Sequence, residues 1–107
     1  VDNLIENYQA NVPNSQDYVI DFKIETNSKR PLYLFGIANK DKARLTTITL
    51  QHLSANNDQF DSIAICSNLS ELPKKDSSRL MFAANDIAPD MSDINAIQRK
   101  IMHRIQA

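Results

Sequence analysis

The sequence holds one glycine, one cysteine and no tryptophan in 107 residues, and no apolar run longer than a strand. Each shortage excludes something. Glycine averages about 7% of residues in ordinary proteins. With Gly36 alone, the chain cannot form a glycine-rich phosphate loop or a dinucleotide fingerprint, which need several glycines at fixed spacing. It also lacks the Gly-x-Ser-x-Gly elbow of serine hydrolases. Cys66 by itself makes no internal disulfide, so a secreted, stapled domain gains no support and a reducing cytoplasm is the simplest setting. No window approaches the ~20 apolar residues of a membrane helix, and no basic-then-apolar leader opens the chain. No membrane partner is therefore expected.

Twelve basic and thirteen acidic side chains leave a net charge of -1. This excludes a uniformly basic nucleic-acid wrapper and an acidic tail, but not a local patch. Hydrophobic residues at 42% and charged residues at 23% are ordinary globular usage, and the length suits a single α/β domain over residues 1–107. The first residue is Val1 rather than methionine. The chain is therefore expected to be a piece of a longer protein whose remainder could hold the activity. Eleven asparagines offset the missing glycines. Asparagine tolerates positive φ best among the other residues, so Asn27, Asn56, Asn57 and Asn68 are expected to serve turns.

Periodicity then gives a coarse plan. Asp2 to Ala10 reads as a short helix capped by Asp2, with Leu4, Ile5 and Tyr8 on one side. Tyr18 to Thr26 alternates as a half-buried strand. Asn27 to Pro31 turns the chain into Leu32–Ala38, which is apolar on both faces as a central strand should be. Lys40 to Ala55 reads as a helix with Leu45, Ile48 and His52 at helical spacing and Leu50 and Leu53 beside them. Phe60 to Cys66 is a second central strand, and the strand–helix–strand order implies parallel pairing. Residues 74–85 are ambiguous between helix and strand; Pro73 and the Ala83-Ala84 pair favour helix. Asp86 to Ala88 is a short edge strand stopped by Pro89. A last helix is capped by Ser92 and carries Ile94, Ile97, Ile101 and Ile105 as a stripe expected to lie across the sheet. The sum is an α/β fold: a small mixed sheet, made of an antiparallel hairpin plus a parallel βαβ crossover, packed with helices.

In such sheets ligands gather beyond the carboxyl ends of parallel strands. Two such ends, Ala38-Asn39-Lys40 and Cys66-Ser67-Asn68, are expected to adjoin. The basic stretch 23–44 carries a net +4, and Lys40, Lys42 and Arg44 sit at the start of a helix, where cations oppose the dipole. A bound anion would relieve that conflict, so Asn39, Lys40, Lys42, Arg44, Ser67 and Asn68 are the candidate ligand-binding residues. Exposed cations that simply reach water explain the same pattern. Lys29 and Arg30 form a basic hairpin tip, and with Lys23 they would extend a surface able to touch nucleic-acid backbone. His52 and His103 lie on different helices without acidic or thiol partners at ligand spacing, so no metal site and no cofactor is expected. Cys66 reads as a buried strand residue rather than a nucleophile. No catalytic residue is assigned.

A strand hairpin followed by a helix resembles the restriction-endonuclease-like core. That resemblance implies an acidic residue on one strand and Glu-x-Lys on the next, holding Mg²⁺. Asp21 suits the first position; Leu32–Ala38 contains neither carboxylate nor lysine, which leaves Glu25 or Asp41 as substitute carboxylates. The run Tyr18-Val19-Ile20-Asp21-Phe22, the Lys29-Arg30-Pro31 turn, the apolar strand ending at Asn39 and the strand Phe60–Asn68 are similar to the bacterial family catalogued as domain of unknown function 1829, over roughly residues 15–90. That resemblance implies the C-terminal domain of a two-domain protein whose partner is its own N-terminal domain or another protein. The functions left open are a non-catalytic binding module, a degenerate nuclease, and an oligomerisation domain using the last helix.

Overall fold

Leu32–Ile37 is buried on both faces, and the rest of the fold is arranged around it. A computed structural model describes residues 4–106. Five strands, β1 (Leu4–Tyr8), β2 (Ile20–Ile24), β3 (Leu32–Ile37), β4 (Asp61–Cys66) and β5 (Asp86–Ala88), form one sheet in chain order. β1–β2–β3 are antiparallel, while β3–β4 and β4–β5 are parallel. Three helices, α1 (Lys40–Ala55), α2 (Lys74–Ala83) and α3 (Ile94–Gln106), complete the domain. This is the mixed-sheet α/β architecture expected from the pattern.

The two faces of β3 define two cores. Tyr33, Phe35 and Ile37 pack with Ala43, Leu50 and Leu53 of α1 and Leu80 of α2. Leu32 and Leu34 pack with Ile24 and Ile63, and Ile101 and Ile105 of α3 close over them. The sheet is therefore the middle of three layers. Tyr33 keeps its hydroxyl satisfied by donating to Asp58 at 2.8 Å and stacks on Phe60 at 4.8 Å.

Four expectations are corrected. The first segment is a strand, not a helix: Leu4–Tyr8 pairs with β2 from Leu4↔Ile24 to Tyr8↔Ile20. A five-residue segment has little intrinsic preference, and the free edge of β2 decides its conformation. Asp2, expected to cap it, lies outside the described residues. On α1 the buried row is Ala43, Thr46, Leu50 and Leu53, whereas Leu45 and Ile48 face outward. The smaller row lets the helix approach β3 closely, and the β-branched Thr47 is accommodated because its hydroxyl donates to the Ala43 carbonyl at 2.9 Å. Asp93, not Ser92, caps α3: its carboxylate accepts the Ala96 N–H at 3.1 Å, while Ser92 is turned to Asp90. The α3 stripe seats only in part, with Ile101 and Ile105 engaged and Ile94 exposed. Among the asparagines, Asn57 takes a left-handed φ (63°) as expected. Among the described residues Asn7 (52°) and Asn14 (58°) do the same, while Asn27 and Asn56 serve their turns and Asn68 its cap without a positive φ. The ambiguous segment is helix α2, as favoured, with Pro73 just ahead of it.

The corrected α1 face has a measurable consequence. Leu50→Ala lowers the unfolding free energy in urea by about 2–5 kcal/mol, because the buried site cannot fully collapse. Leu45→Ala on the outer face costs under about 1 kcal/mol. Equal losses would contradict this orientation.

Candidate functional site

Parallel pairing of β3 with β4 runs in register from Leu32↔Asp61 to Ile37↔Cys66, so their carboxyl ends finish side by side. Ser67 N–H extends the ladder to the Ile37 carbonyl at 2.9 Å. The chain leaves β3 through Ala38 and Asn39 into α1, and leaves β4 through Ser67 and Asn68 toward α2. Between these exits lies a cavity of about 300 Å³ bordered by Asn39, Lys40, Ser67, Asn68, Glu71 and Pro73. A second cavity of about 480 Å³, bordered by Lys74, Ser77 and Asp90, shares Asn68 and Leu72 with it. The starts of α1 and α2 both open onto this rim.

The rim brings together four of the six candidate residues. Asn39 and Asn68 also carry structural work. Asn39 Oδ1 accepts the Lys42 N–H at 2.9 Å and caps α1. Asn68 Oδ1 accepts from Ser70 N–H at 3.1 Å and from the Ser70 hydroxyl at 2.7 Å. Both caps lie where a strand must become a helical turn, and a short side-chain oxygen replaces the missing helical acceptor. Lys40 is exposed at the rim.

Lys42 and Arg44 turn elsewhere. Lys42 Nζ donates to both oxygens of Asp21, at 2.7 and 2.9 Å. Arg44 grips Asp76 of α2 in a fork, Nε to Oδ1 at 3.0 Å and Nη2 to Oδ2 at 3.1 Å, with Asp41 at 3.9 Å. The cations expected to conflict with the α1 dipole are thus answered by carboxylates distant in sequence. Asp76 is only 3% exposed. The Arg44 guanidinium holds its carboxyl below the usual range, and Asp76 in turn holds Arg44 above its own.

Asp21 occupies a break in the sheet. The paired register of β2 with β3 ends at Phe22↔Leu34, and beyond it the Gly36 N–H donates to the Asp21 carboxylate at 2.9 Å rather than to backbone. Glu6, Asn7, Asp21, Phe22 and Gly36 border a cavity of about 290 Å³ there. Neither carboxylate considered as Asp21's companion reaches it. Glu25 lies past the far end of β2, paired with Lys23 at 3.0 Å, and Asp41 sits beside Arg44. Glu6 borders the same cavity, but reading its segment as a helix hid it.

The Mg²⁺ of a restriction-endonuclease-like site does not fit these residues. Its strand carboxylate, Asp21, already holds an ammonium on both oxygens, and among the described residues no group of three His, Cys, Asp or Glu side chains converges. Cys66 is fully buried, and burial pushes its thiol up. His52 stacks on Tyr18 at 4.1 Å and its Nε2 lies 2.7 Å from the Pro13 carbonyl, pinning the loop between β1 and β2 to α1. No helix among the described residues is long and apolar enough to cross a membrane. In comparisons with known proteins, no family model, curated protein or solved structure matches the chain.

The Arg44–Asp76 fork should show in the pH dependence of stability. Because the folded-state carboxyl titrates below its unfolded value of about 3.9, the contribution is present above that pH and is lost as pH falls through the lower folded value. The difference in unfolding free energy between the wild type and Asp76→Asn therefore shrinks below about pH 4. A difference that stays constant through that window would contradict the fork.

Proposed function

We propose that this domain is a non-catalytic binding module of a bacterial cytoplasmic protein, which receives an anionic group at the rim where β3 and β4 end. The rim cavity carries this reading. Lys40 is exposed there, two helices begin there, and small polar side chains from both strand exits surround it. Backbone N–H groups at helix starts and an adjacent ammonium favour phosphate or carboxylate. The anion is a phosphate-bearing ligand or a nucleic-acid backbone. On this reading the chain would be a C-terminal module acting beside another domain, as membership of the domain of unknown function 1829 family would imply. Lys42 and Arg44 are not part of this rim, so the basic contribution falls to Lys40.

The non-catalytic part rests on Lys42. In a nuclease of the restriction-endonuclease-like plan the strand carboxylate holds a metal ion. Here Lys42 supplies the positive charge from α1, and the Gly36 N–H also donates to the same carboxylate.

Calorimetric titration with inorganic pyrophosphate and with a short DNA duplex tests the rim. Binding is expected, weakened about tenfold or more by Lys40→Glu, equivalent to ~1.4 kcal/mol. Lys29→Ala, on the hairpin at the other end of β3, should leave pyrophosphate binding unchanged. Absence of heat with both ligands, or indifference to Lys40→Glu, removes the rim reading. Incubation with DNA and Mn²⁺ tests the other half: no cleavage is expected. Cleavage that disappears in Asp21→Ala would make the domain a nuclease instead.

A further inference from the structure

We infer that the outer face shared by α1 and α2 docks an acidic amphipathic helix from a protein partner. This deepens the binding-module reading by adding a partner on a surface that shares no residue with the strand-end rim, so either can fail without the other.

Three observations on this face carry the inference. The first is a groove of about 340 Å³ between the helices, bordered by Arg44, Thr47, Ile48, Gln51, Asp76 and Arg79. The Arg44–Asp76 fork ties its two walls together at 3.0 and 3.1 Å, so the groove is held open in one shape.

The second is unexplained apolar exposure. Phe82 is 93% exposed and Ile48 is 51% exposed, and neither joins a core cluster. Lys75, Arg79 and Phe82 follow one another at i, i+4 and i+7, which puts them on one side of α2. Arg79 borders the groove, so this stripe continues its α2 wall toward the end of the helix. Leu45 lies one turn before Ile48 on the outer side of α1 and is 48% exposed. A face that leaves large apolar side chains in water, rimmed by charge, is the usual mark of a protein contact.

The third is charge. Among the described residues, neither Lys75 nor Arg79 has a carboxylate within ion-pairing distance, whereas Lys42, Arg44, Lys100 and Arg104 all do. Asp76 is the only acid bordering the groove, and Arg44 already neutralises it. Asp41, 3.9 Å from Arg44 and in line with Leu45 and Ile48 on α1, adds a second acid, so with Arg44, Lys75 and Arg79 the face keeps a net charge of +1 around an apolar strip.

Chemistry then selects the occupant. A nucleic acid would use the cations and could stack on Phe82, but it has nothing to place against the aliphatic Ile48 and Leu45. A second copy of this chain would bring like charge to like charge if it presented the same face. A helix with apolar residues at i, i+3 or i+4 and i+7, flanked by Asp and Glu, satisfies both the strip and the cations. Aromatic and arginine anchors of this sort dominate the energy of protein interfaces.

The test is selection of a randomised peptide library displayed on phage against the intact chain, followed by affinity measurement on the enriched peptides. The expected result is peptides with helical apolar periodicity and excess Asp and Glu. Their binding should weaken about tenfold or more in Arg79→Glu and in Phe82→Ala. Both substitutions lie on the solvent side, so urea unfolding should move little, and Lys40→Glu at the rim should leave peptide binding intact. Failure to enrich any peptide would overturn the inference. So would peptides lacking the acidic amphipathic pattern, peptide binding indifferent to both substitutions, or a single-stranded oligonucleotide that binds this face more tightly than any selected peptide.

Discussion

Parallel pairing of β3 with β4 is the constraint on which the rest of this structure depends. Parallel strands cannot be joined by a tight turn, so the chain must cross back over the sheet, and α1 is that crossing. The crossing covers one face of β3. The other face must then find a second cover, and α3 supplies it through Ile101 and Ile105. Pairing in the same direction also brings the two strand exits together, and only because of this do Asn39 and Ser67 share a cavity. Antiparallel pairing would have placed those exits at opposite ends of the sheet.

The cations of this chain divide by whether a carboxylate meets them. Lys42 joins α1 to the break between β2 and β3 through Asp21, and Arg44 joins α1 to α2 through Asp76. Lys100 and Arg104 join α3 to β5 and β4 through Asp86 and Asp61, at 2.9 and 3.8 Å. Each of these pairs spans two elements and fixes how they sit. The net energy of such partly exposed pairs is small, so their value is geometric: a like-charge or unpaired alternative packing would be disfavoured. Among the described residues Lys29, Arg30, Lys40, Lys74, Lys75, Arg79 and Arg99 make no such pair, and of these Lys40, Lys75 and Arg79 lie where the two binding surfaces are proposed.

Much of the fold was legible because burial imprints a period on the sequence. The doubly apolar Leu32–Ala38 could only be a central strand, and α1 and β5 begin and end where their breakers and caps stand, at Asn39, Asn56 and Pro89. What was not legible is non-local. β1 is a strand because β2 offers it an edge, and nothing in Leu-Ile-Glu-Asn-Tyr announces that. The face of α1 was misjudged because Leu45 and Ile48 imitate a core stripe, while the true stripe is made of smaller residues whose burial only tertiary contact reveals. The site followed the same division. Asn39, Lys40, Ser67 and Asn68 met as expected because topology alone brings them together. Lys42 and Arg44 did not join them because their partners, Asp21 and Asp76, lie 21 and 32 residues away.

The sole glycine shows how these levels meet. Gly36 is not needed for a turn: its φ is not left-handed, and an added Cβ would find Asp21 Oδ2 at an ordinary 4.0 Å. Glycine weakens a strand interior by roughly 0.5–1 kcal/mol relative to alanine, so its use in the central strand asks for a reason. Any residue but proline would supply the same N–H, so the reason lies in the missing side chain beside the Asp21 cavity. Where β2 parts from β3, this donor loses its backbone partner and takes the Asp21 carboxylate instead. The carboxylate can reach it because Lys42 balances its charge from the first turn of α1. A side chain on Gly36 would project into the cavity that Asp21 and Glu6 border and restrict access to this carboxylate. The bare position therefore keeps the break in the sheet open, and the ammonium of Lys42 keeps it neutral. Asp21 thereby serves as a joint between sheet and helix.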